Sequence, residues 1–321
     1  MTMVTVRSIR EMVRTQGLLL ALIVILIVFS IGTRAFYSAN NLILILKQVS
    51  IVGIIACAMT FVIIAGNLDL TVGSIVSMAT LVSVSLHDNF GPLMSIVVPL
   101  VVGLLSGAIC GFVVGYLKLN SLIVTLGMLS ILHGTTMLYS GGGVRIIKFP
   151  EQTWFGFLGR GVVFGIPFQV ILYAVFIILF QIILKRTVFG KQMMAVGGNA
   201  NASRYTGIND KRTVLVTFLS SGFMSALAGV ILASRVMQVQ PKLGVGYEFD
   251  VITGVILGGT SLIGGEGSVI KTFLGVLILG VLQNGFIMIG LPYYSQWIVQ
   301  CVVIVLVVWL DITSRRNEAA I

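Results

Sequence analysis

Charge is what this chain lacks most. Only 9% of its 321 residues are Asp, Glu, Lys or Arg, against roughly 25% in soluble domains. So few charges cannot cover a water-facing surface, which excludes a soluble globular protein. Disorder is excluded on the opposite ground, because 57% of the residues are hydrophobic and have surface to bury. Cys57, Cys110 and Cys301 are far apart, each within an apolar run, so no disulfide framework is present. With two histidines and those three cysteines there is no metal-binding constellation either. Paired carboxylates and nucleophile–base pairs are missing, which removes the usual starting points for an enzyme. Also missing is any Gly-x-x-x-x-Gly-Lys-(Ser/Thr): the glycine-rich Gly258–Gly267 segment runs on into Ser268 and reaches a lysine only at Lys271.

What remains is long apolar runs. Stretches without Lys, Arg, Asp or Glu cover Gly17–Thr33, Gln48–Leu68, Leu70–Leu86, Asn89–Leu117, Leu119–Val144, Gly161–Leu184, Thr213–Ser234, Val251–Gly265 and Thr272–Leu310. A spanning helix takes about 20 residues, and the last run is long enough for two, broken at Gly290-Leu291-Pro292. The expectation is an all-α polytopic membrane protein of about ten transmembrane helices, forming one domain over residues 1–321. Val251–Gly265 is the weakest span, short enough to be a tilted or broken helix. Nothing alternates polar and apolar as barrel strands must. Gly17–Thr33 reads as a signal anchor rather than a cleaved signal peptide, since no small-x-small site follows.

Placing the N-terminus inside puts Arg7, Arg10, Arg14, Lys118, Lys185, Arg186, Lys191, Arg204, Lys211, Arg212, Lys271, Arg315 and Arg316 in the cytoplasm. Arg34, Lys47, Arg145, Lys148, Arg160, Arg235 and Lys242 fall outside. Thirteen against seven satisfies the positive-inside rule and sets both termini in the cytoplasm. The net charge of +10 is accounted for by this bias, and with no basic patch interleaved with aromatics there is no case for nucleic acid.

Gly103, Gly107, Gly111 and Gly115 recur every four residues, and Ser221, Ser225 and Gly229 repeat the device. Such rows let helix backbones approach closely, so the expectation is packing. The internal loop, about 185–212, is far longer than a connection requires. In it Asn199 can cap a short helix, Ala200–Tyr205, and Gly207 can end it in a left-handed turn. The loop therefore reads as a partner contact. An outer loop, about 141–166, carries Arg145, Lys148, Glu151, Trp154, Phe155 and Arg160. Its aromatics suit an interfacial belt, and its cations, with Lys242, suit an acidic docking partner.

Asp69 is the one carboxylate bracketed by apolar runs. It reads as a cap for Thr71–Ser74 at a cytoplasmic helix junction, with a gate or substrate contact as the alternative. His133 reads as a packed histidine, and His87 and Asp88 as an ordinary outer turn. Asn67, Gln283 and Asn284 are the polar candidates for a substrate path. The remaining Asp and Glu are expected at or beyond span ends, which argues against a gradient-driven transporter or channel. A parallel echo links Val62–Gly66 and Gly73 to Val255–Gly259 and Gly267.

The loop sequence Ala195-x-Gly197-Gly198-Asn199-x-x-Ala202-Ser203-Arg204-x-x-Gly207-Ile208 resembles a signature of the inner-membrane permeases of ribose-, arabinose-, xylose- and galactoside-type ABC importers. Asn67–Ser74, Gln240-Pro241, Gly246-Tyr247-Glu248 and Val255–Gly267 resemble further blocks of that family, in order, with Thr71 and Ser203 as small departures. Branched-chain amino-acid permeases share the superfamily but usually lack the paired glycines. The resemblance implies a non-catalytic subunit of the bacterial inner membrane that moves a pentose, hexose or related polyol. It would pair with a second permease subunit, identical or homologous, within membrane lipid. A cytoplasmic ABC ATPase, which would bind the ATP and Mg, would grip Gly197, Gly198, Asn199, Ala202, Arg204 and Gly207. A periplasmic sugar-binding protein would deliver the substrate.

Overall fold

The computed structural model describes residues 2–33, 35–150, 153–292, 295, 297–298, 301–302 and 305, with the side chains of residues 2–16 left aside. Arg34, Glu151, Arg315, Arg316 and most of the expected tenth span lie outside the described residues.

The long elements are α1 (Thr2–Gly32), α2 (Ala39–Ile64), α3 (Val72–Gly115), α4 (Ser121–Ser140), α6 (Phe168–Arg186), α9 (Asp210–Val236) and α11 (Val269–Met288). Between them lie the short helices α5 (Phe157–Arg160), α7 (Val188–Gly198), α8 (Ala200–Tyr205) and α10 (Tyr247–Leu257). Among the described residues six helices are long and apolar enough to cross a membrane: α2, α3, α4, α6, α9 and α11. Among the described residues strand is confined to two-residue pieces: β1 (Arg145–Ile146) pairs with β4 (Gln238–Val239), and β2 (Val162–Val163) with β3 (Ile166–Pro167). These pairs define an upper end of the bundle. The 187–209 segment defines the lower end.

Around α9 the rest is arranged. At 1.5 Å per residue its 27 residues span about 40 Å. Helix α3 is broken at Gly91 (φ 78°, ψ 175°), followed by Pro92, so two helices meet there. This corrects the expected turn at His87-Asp88, which are helical; the break falls three residues later. The second half of α3 descends along α9 through the glycine row. A Cβ on Gly107 would collide with the Phe218 carbonyl oxygen, and one on Gly103 with that of Gly222. Gly111 and Gly115 meet Leu215 and Lys211 in the same way. The row is a packing face, and contact this close lets Cα–H groups face carbonyls directly.

The first half of α3 climbs beside the upper half of α9. Thr80 Oγ1 donates to Gly229 O at 3.1 Å, and a Cβ on Gly229 would touch Ala79. Helices α2, α6, α10 and α11 pack on one another on the other side. A Cβ on Gly53 would collide with the Tyr173 ring, Phe61 meets Phe180 at 4.8 Å between centroids, and Thr60 bonds Thr272 at 2.9 Å. At the top of this group Asn41 and Asn284 exchange two amide bonds of 2.9 Å each.

One of the expected spans, Val251–Gly265, is not a full span. Helix α10 has 11 residues and ends at Leu257; residues 258–268 are non-helical. Before it, the chain leaves β4 and turns back into the bundle, where Gly244 N donates to Ser77 Oγ at 2.9 Å. The parallel echo has matching local geometry. In one copy Gly66 N bonds Ile63 O and Asn67 N bonds Val62 O; in the other Gly259 N bonds Ile256 O and Thr260 N bonds Val255 O. Both glycines are left-handed, with φ 77° and φ 81°, so both segments end on the same αL cap.

Candidate functional site

Asn199 Oδ1 accepts from Ala202 N at 2.9 Å and caps α8, whose six residues end before Gly207 at φ 81°. The expected helix and its left-handed stop are both present. What the sequence reading lacked is α7, which turns the preceding stretch into a second helix lying under the bundle. Gly197 is pressed into that contact so tightly that a Cβ would collide with Ile64 O and Gly265 N, whereas Gly198 has open space. Gly265 N in turn donates to Ile64 O at 2.8 Å. The paired-glycine block, the end of α2 and the Gly258–Gly267 loop therefore meet at one point. Left-handed backbone at Gly66, Gly264 and Gly265 makes the approach possible.

Beyond this junction α8 projects from the lower end. Asn201, Ala202 and Arg204 are exposed, and Tyr205 is 93% exposed. A nearly bare tyrosine on a capped helix has the chemistry of an interface anchor. Sequence reasoning passed over it because a single tyrosine in a loop carries no spacing signal. Arg204 is held from behind: its Nη2 and Nε reach Asp210 Oδ2 at 2.7 and 2.9 Å, and Lys118 Nζ reaches the same oxygen at 2.7 Å. Asp210 is buried, and its hydrogen bonds and charge raise the Arg204 pKa still further. One carboxylate thus ties the projecting helix to the foot of α9 and to the α3–α4 connection, where Lys118 has the rare backbone φ of 59°. Arg204, expected to face a partner, spends its guanidinium on its own chain.

Asp69 is fully buried. Its Oδ1 accepts from Thr71 N at 2.9 Å and from Thr71 Oγ1 at 2.5 Å, while its Oδ2 accepts from Ser221 Oγ at 2.7 Å. Both Thr71 bonds fall on the residue before α3, which has no side-chain cap, so Asp69 braces the turn into the helix rather than capping it, and its location is corrected too. Ser221 lies 11 residues up α9 from Asp210, about 16 Å above the lower end, so α3 starts inside the bundle and not at its face. Helix α10 also starts inside. A Cβ on Gly73 would strike Glu248 Oε2, and Glu248 is buried. The expectation that the other carboxylates lie at span ends is therefore corrected for Glu248 and Asp250. The short descent 240–246 from β4 to α10 carries them into the bundle, and no hydropathy window registers such a descent.

Asn67 Nδ2 donates to Ala65 O at 3.1 Å and belongs to the helix end. Asn284 is consumed by Asn41. Gln283 is different: half-buried, it donates to Asp250 Oδ1 at 2.8 Å and lines an open cleft between α2, α10 and α11. At the upper end Arg145, Lys148, Arg160 and Lys242 are all exposed. The β1–β4 pairing brings the 145–148 and 238–242 segments together, and Arg160 Nε donates to Arg235 O at 2.8 Å. His87, expected to be unremarkable, is buried there and bonds Thr153 Oγ1 at 2.8 Å, while Asp88 accepts from Lys148 N at 3.2 Å. His133 is half-buried on α4.

Residues 41–308 match the family model described as branched-chain amino acid transport system / permease component. The chain is 37% identical over 298 residues to the ribose import permease protein RbsC of Haemophilus influenzae, covering 92% of each, and 37% identical to that of Escherichia coli K12, covering 92% of this chain and 93% of the relative. It is 33% identical over 312 residues to the L-arabinose ABC transporter permease protein AraH of Azospirillum brasilense, covering 96% of this chain and 90% of the relative. No solved structure matches.

Proposed function

The chain belongs to this permease family of binding-protein-dependent transport systems, and from that premise we propose that it is the membrane-spanning subunit of an ATP-driven importer of a monosaccharide. Such subunits are multi-pass and non-catalytic. The observation that carries the sugar reading is the likeness along more than nine-tenths of the chain to ribose and arabinose permeases. A branched-chain amino acid, the substrate in the family's description, has less support than the sugars in the names of relatives that match along more than nine-tenths of the chain. In this reading the lower end faces the bacterial cytoplasm and α8 docks a separate ATPase, which binds the ATP and Mg. The cationic upper end receives a sugar-laden binding protein in the periplasm, and a second copy or homologue completes the pathway.

The rival, gradient-driven transport by this chain alone, is weakened by family membership and not by any scarcity of buried carboxylates. The experiment is reconstitution into proteoliposomes, with and without the cognate ATPase and binding protein, followed by uptake of labelled ribose, arabinose and leucine. Uptake of a pentose only with all partners and ATP is the expected result. Sugar uptake by the chain alone under a proton or sodium gradient would overturn it.

A further inference from the structure

The foot of α9 carries more positive charge than its own chain balances. Asp210, Lys211 and Arg212 open the helix, and the Asp210 carboxylate is already held by Arg204 and Lys118. Lys211 and Arg212 are exposed, and among the described residues neither forms an ion pair. The first turn is also the wrong end for them, because a helix N-terminus already carries positive partial charge. Two cations there weaken the helix end until an anion meets them. Beside them, just past the end of α3, is Tyr116. Lys211 Nζ stands 5.9 Å from its ring centroid, and Phe112 stacks on that ring at 5.3 Å between centroids. Above Phe112, the exposed side chains of Ile109 and Leu105 continue an apolar stripe up α3, at spacings that keep them on one face. The level of this cluster follows from length. Hydrocarbon is about 30 Å thick, so a helix of about 40 Å carries its end turns into the headgroup layers. The cations and the tyrosine ring therefore lie at headgroup depth, and the stripe rises from them into hydrocarbon.

We propose that Lys211, Arg212 and Tyr116 bind the headgroup phosphate of an anionic phospholipid, with an acyl chain lying along Phe112, Ile109 and Leu105. The donor set fits that ligand. An ammonium, a guanidinium and a phenol are all donors to phosphate oxygens, and the two charged ones make the stronger bonds. A phosphate there supplies the counter-charge that Asp210, committed to Arg204 and Lys118, does not. A soluble anion would satisfy the cations and leave the stripe above them without a partner, and a water-soluble protein could not follow that stripe into hydrocarbon. A second copy of this chain, related by a two-fold axis along the membrane normal, would bring a foot of the same sign to the same level, where like charges repel. The inference is independent of the solute carried.

The test is thermal unfolding of the delipidated full chain in detergent, titrated with dioleoylphosphatidylglycerol, dioleoylphosphatidylcholine or inorganic phosphate. Phosphatidylglycerol should raise Tm with an apparent affinity about twentyfold above that of phosphatidylcholine, at roughly fivefold for each cation. Lys211→Gln combined with Arg212→Gln should cut this preference to about twofold, while Lys211→Arg combined with Arg212→Lys should keep it. Lys185→Gln combined with Arg186→Gln, which removes two exposed cations from the foot of α6, should leave it unchanged. Ile109→Ser should weaken both lipids about threefold. No preference in the parent protein overturns the site, as does a preference that survives the first double variant or falls equally in the α6 variant. Protection by inorganic phosphate as strong as that by phosphatidylglycerol gives the cations to a soluble anion and overturns the lipid. A preference that survives the first double variant while its oligomeric state changes on size exclusion gives the face to a second copy. Unchanged lipid affinity in Ile109→Ser overturns the acyl contact.

Discussion

Asp69 shows how much one buried side chain decides. It accepts three hydrogen bonds inside an apolar bundle, two from Thr71 and one from Ser221. Removing one such partner typically costs about 1–3 kcal/mol, because the group left behind has no water to turn to. Ser221→Ala is therefore expected to lower the melting temperature in detergent. Asp69→Ala should lower it further, since both the start of α3 and Ser221 lose their partner. Asp69→Asn should be milder than Asp69→Ala, because its amide can accept from Thr71 and donate elsewhere. Equal melting temperatures for the three variants and the parent would remove Asp69 from the stability account. That Asp69 serves the turn into α3 was legible from Asn67–Ser74 alone. Its partner was not, because Ser221 lies 152 positions away and a serine in an apolar helix gives no pairing signal.

Among the elements, the α3–α9 contact and the α8 projection invite different experiments. Gly107→Ala would force a methyl against the Phe218 carbonyl, and overpacking of that kind costs about 1–3 kcal/mol. Gly127→Ala on α4 meets nothing within 4 Å and should be neutral or stabilising by up to about 1 kcal/mol, as helix propensity predicts. Thermal unfolding of the pair, measured side by side, separates packing from propensity. Equal effects would mean that the glycine row is not a contact face. For α8, Asp210→Ala is expected to free Arg204 and Lys118 together. Arg204→Ala combined with Asp210→Ala should be no worse than Asp210→Ala alone when ATPase stimulation is measured in the reconstituted complex. Additive losses would place Arg204 against the partner and not against its own helix. The short capped helix was legible because Asn199 and Gly207 are local signals. The clamp behind it was not, since it joins Lys118 to Asp210 across 92 residues.

For the whole molecule, the lower junction makes a mechanical statement. Helix α7 touches the end of α2 and the Gly258–Gly267 loop through backbone alone at Gly197, so displacement of α8 should pass into both without slack. Gly207→Val, at a φ of 81° that a β-branched residue rarely adopts, should preserve membrane insertion while reducing ATP-driven uptake about tenfold or more. Tyr205→Ala should weaken retention of the ATPase in a pull-down and leave the fold intact. Wild-type uptake by the first variant together with full retention by the second would move the docking site elsewhere. At this scale the composition announced the membrane and the loop announced its short capped helix. The number of complete crossings was not legible, because α10 and the chain before it turn inside the bundle, where a hydropathy run looks the same whether it crosses or returns.

Uniform greasiness along the chain conceals two populations. The most apolar 18-residue windows of α2 and α9 are 67% buried within the described chain, whereas those of α4 and α6 are 17% and 22% buried. Helices bathed in lipid should accept almost any exchange among Leu, Ile, Val and Phe, while helices pressed against a neighbouring subunit should not. Saturating α4 and α6 with such exchanges would therefore sort their outward residues into permissive and intolerant stripes, and an intolerant stripe would trace the outline of the second subunit proposed above.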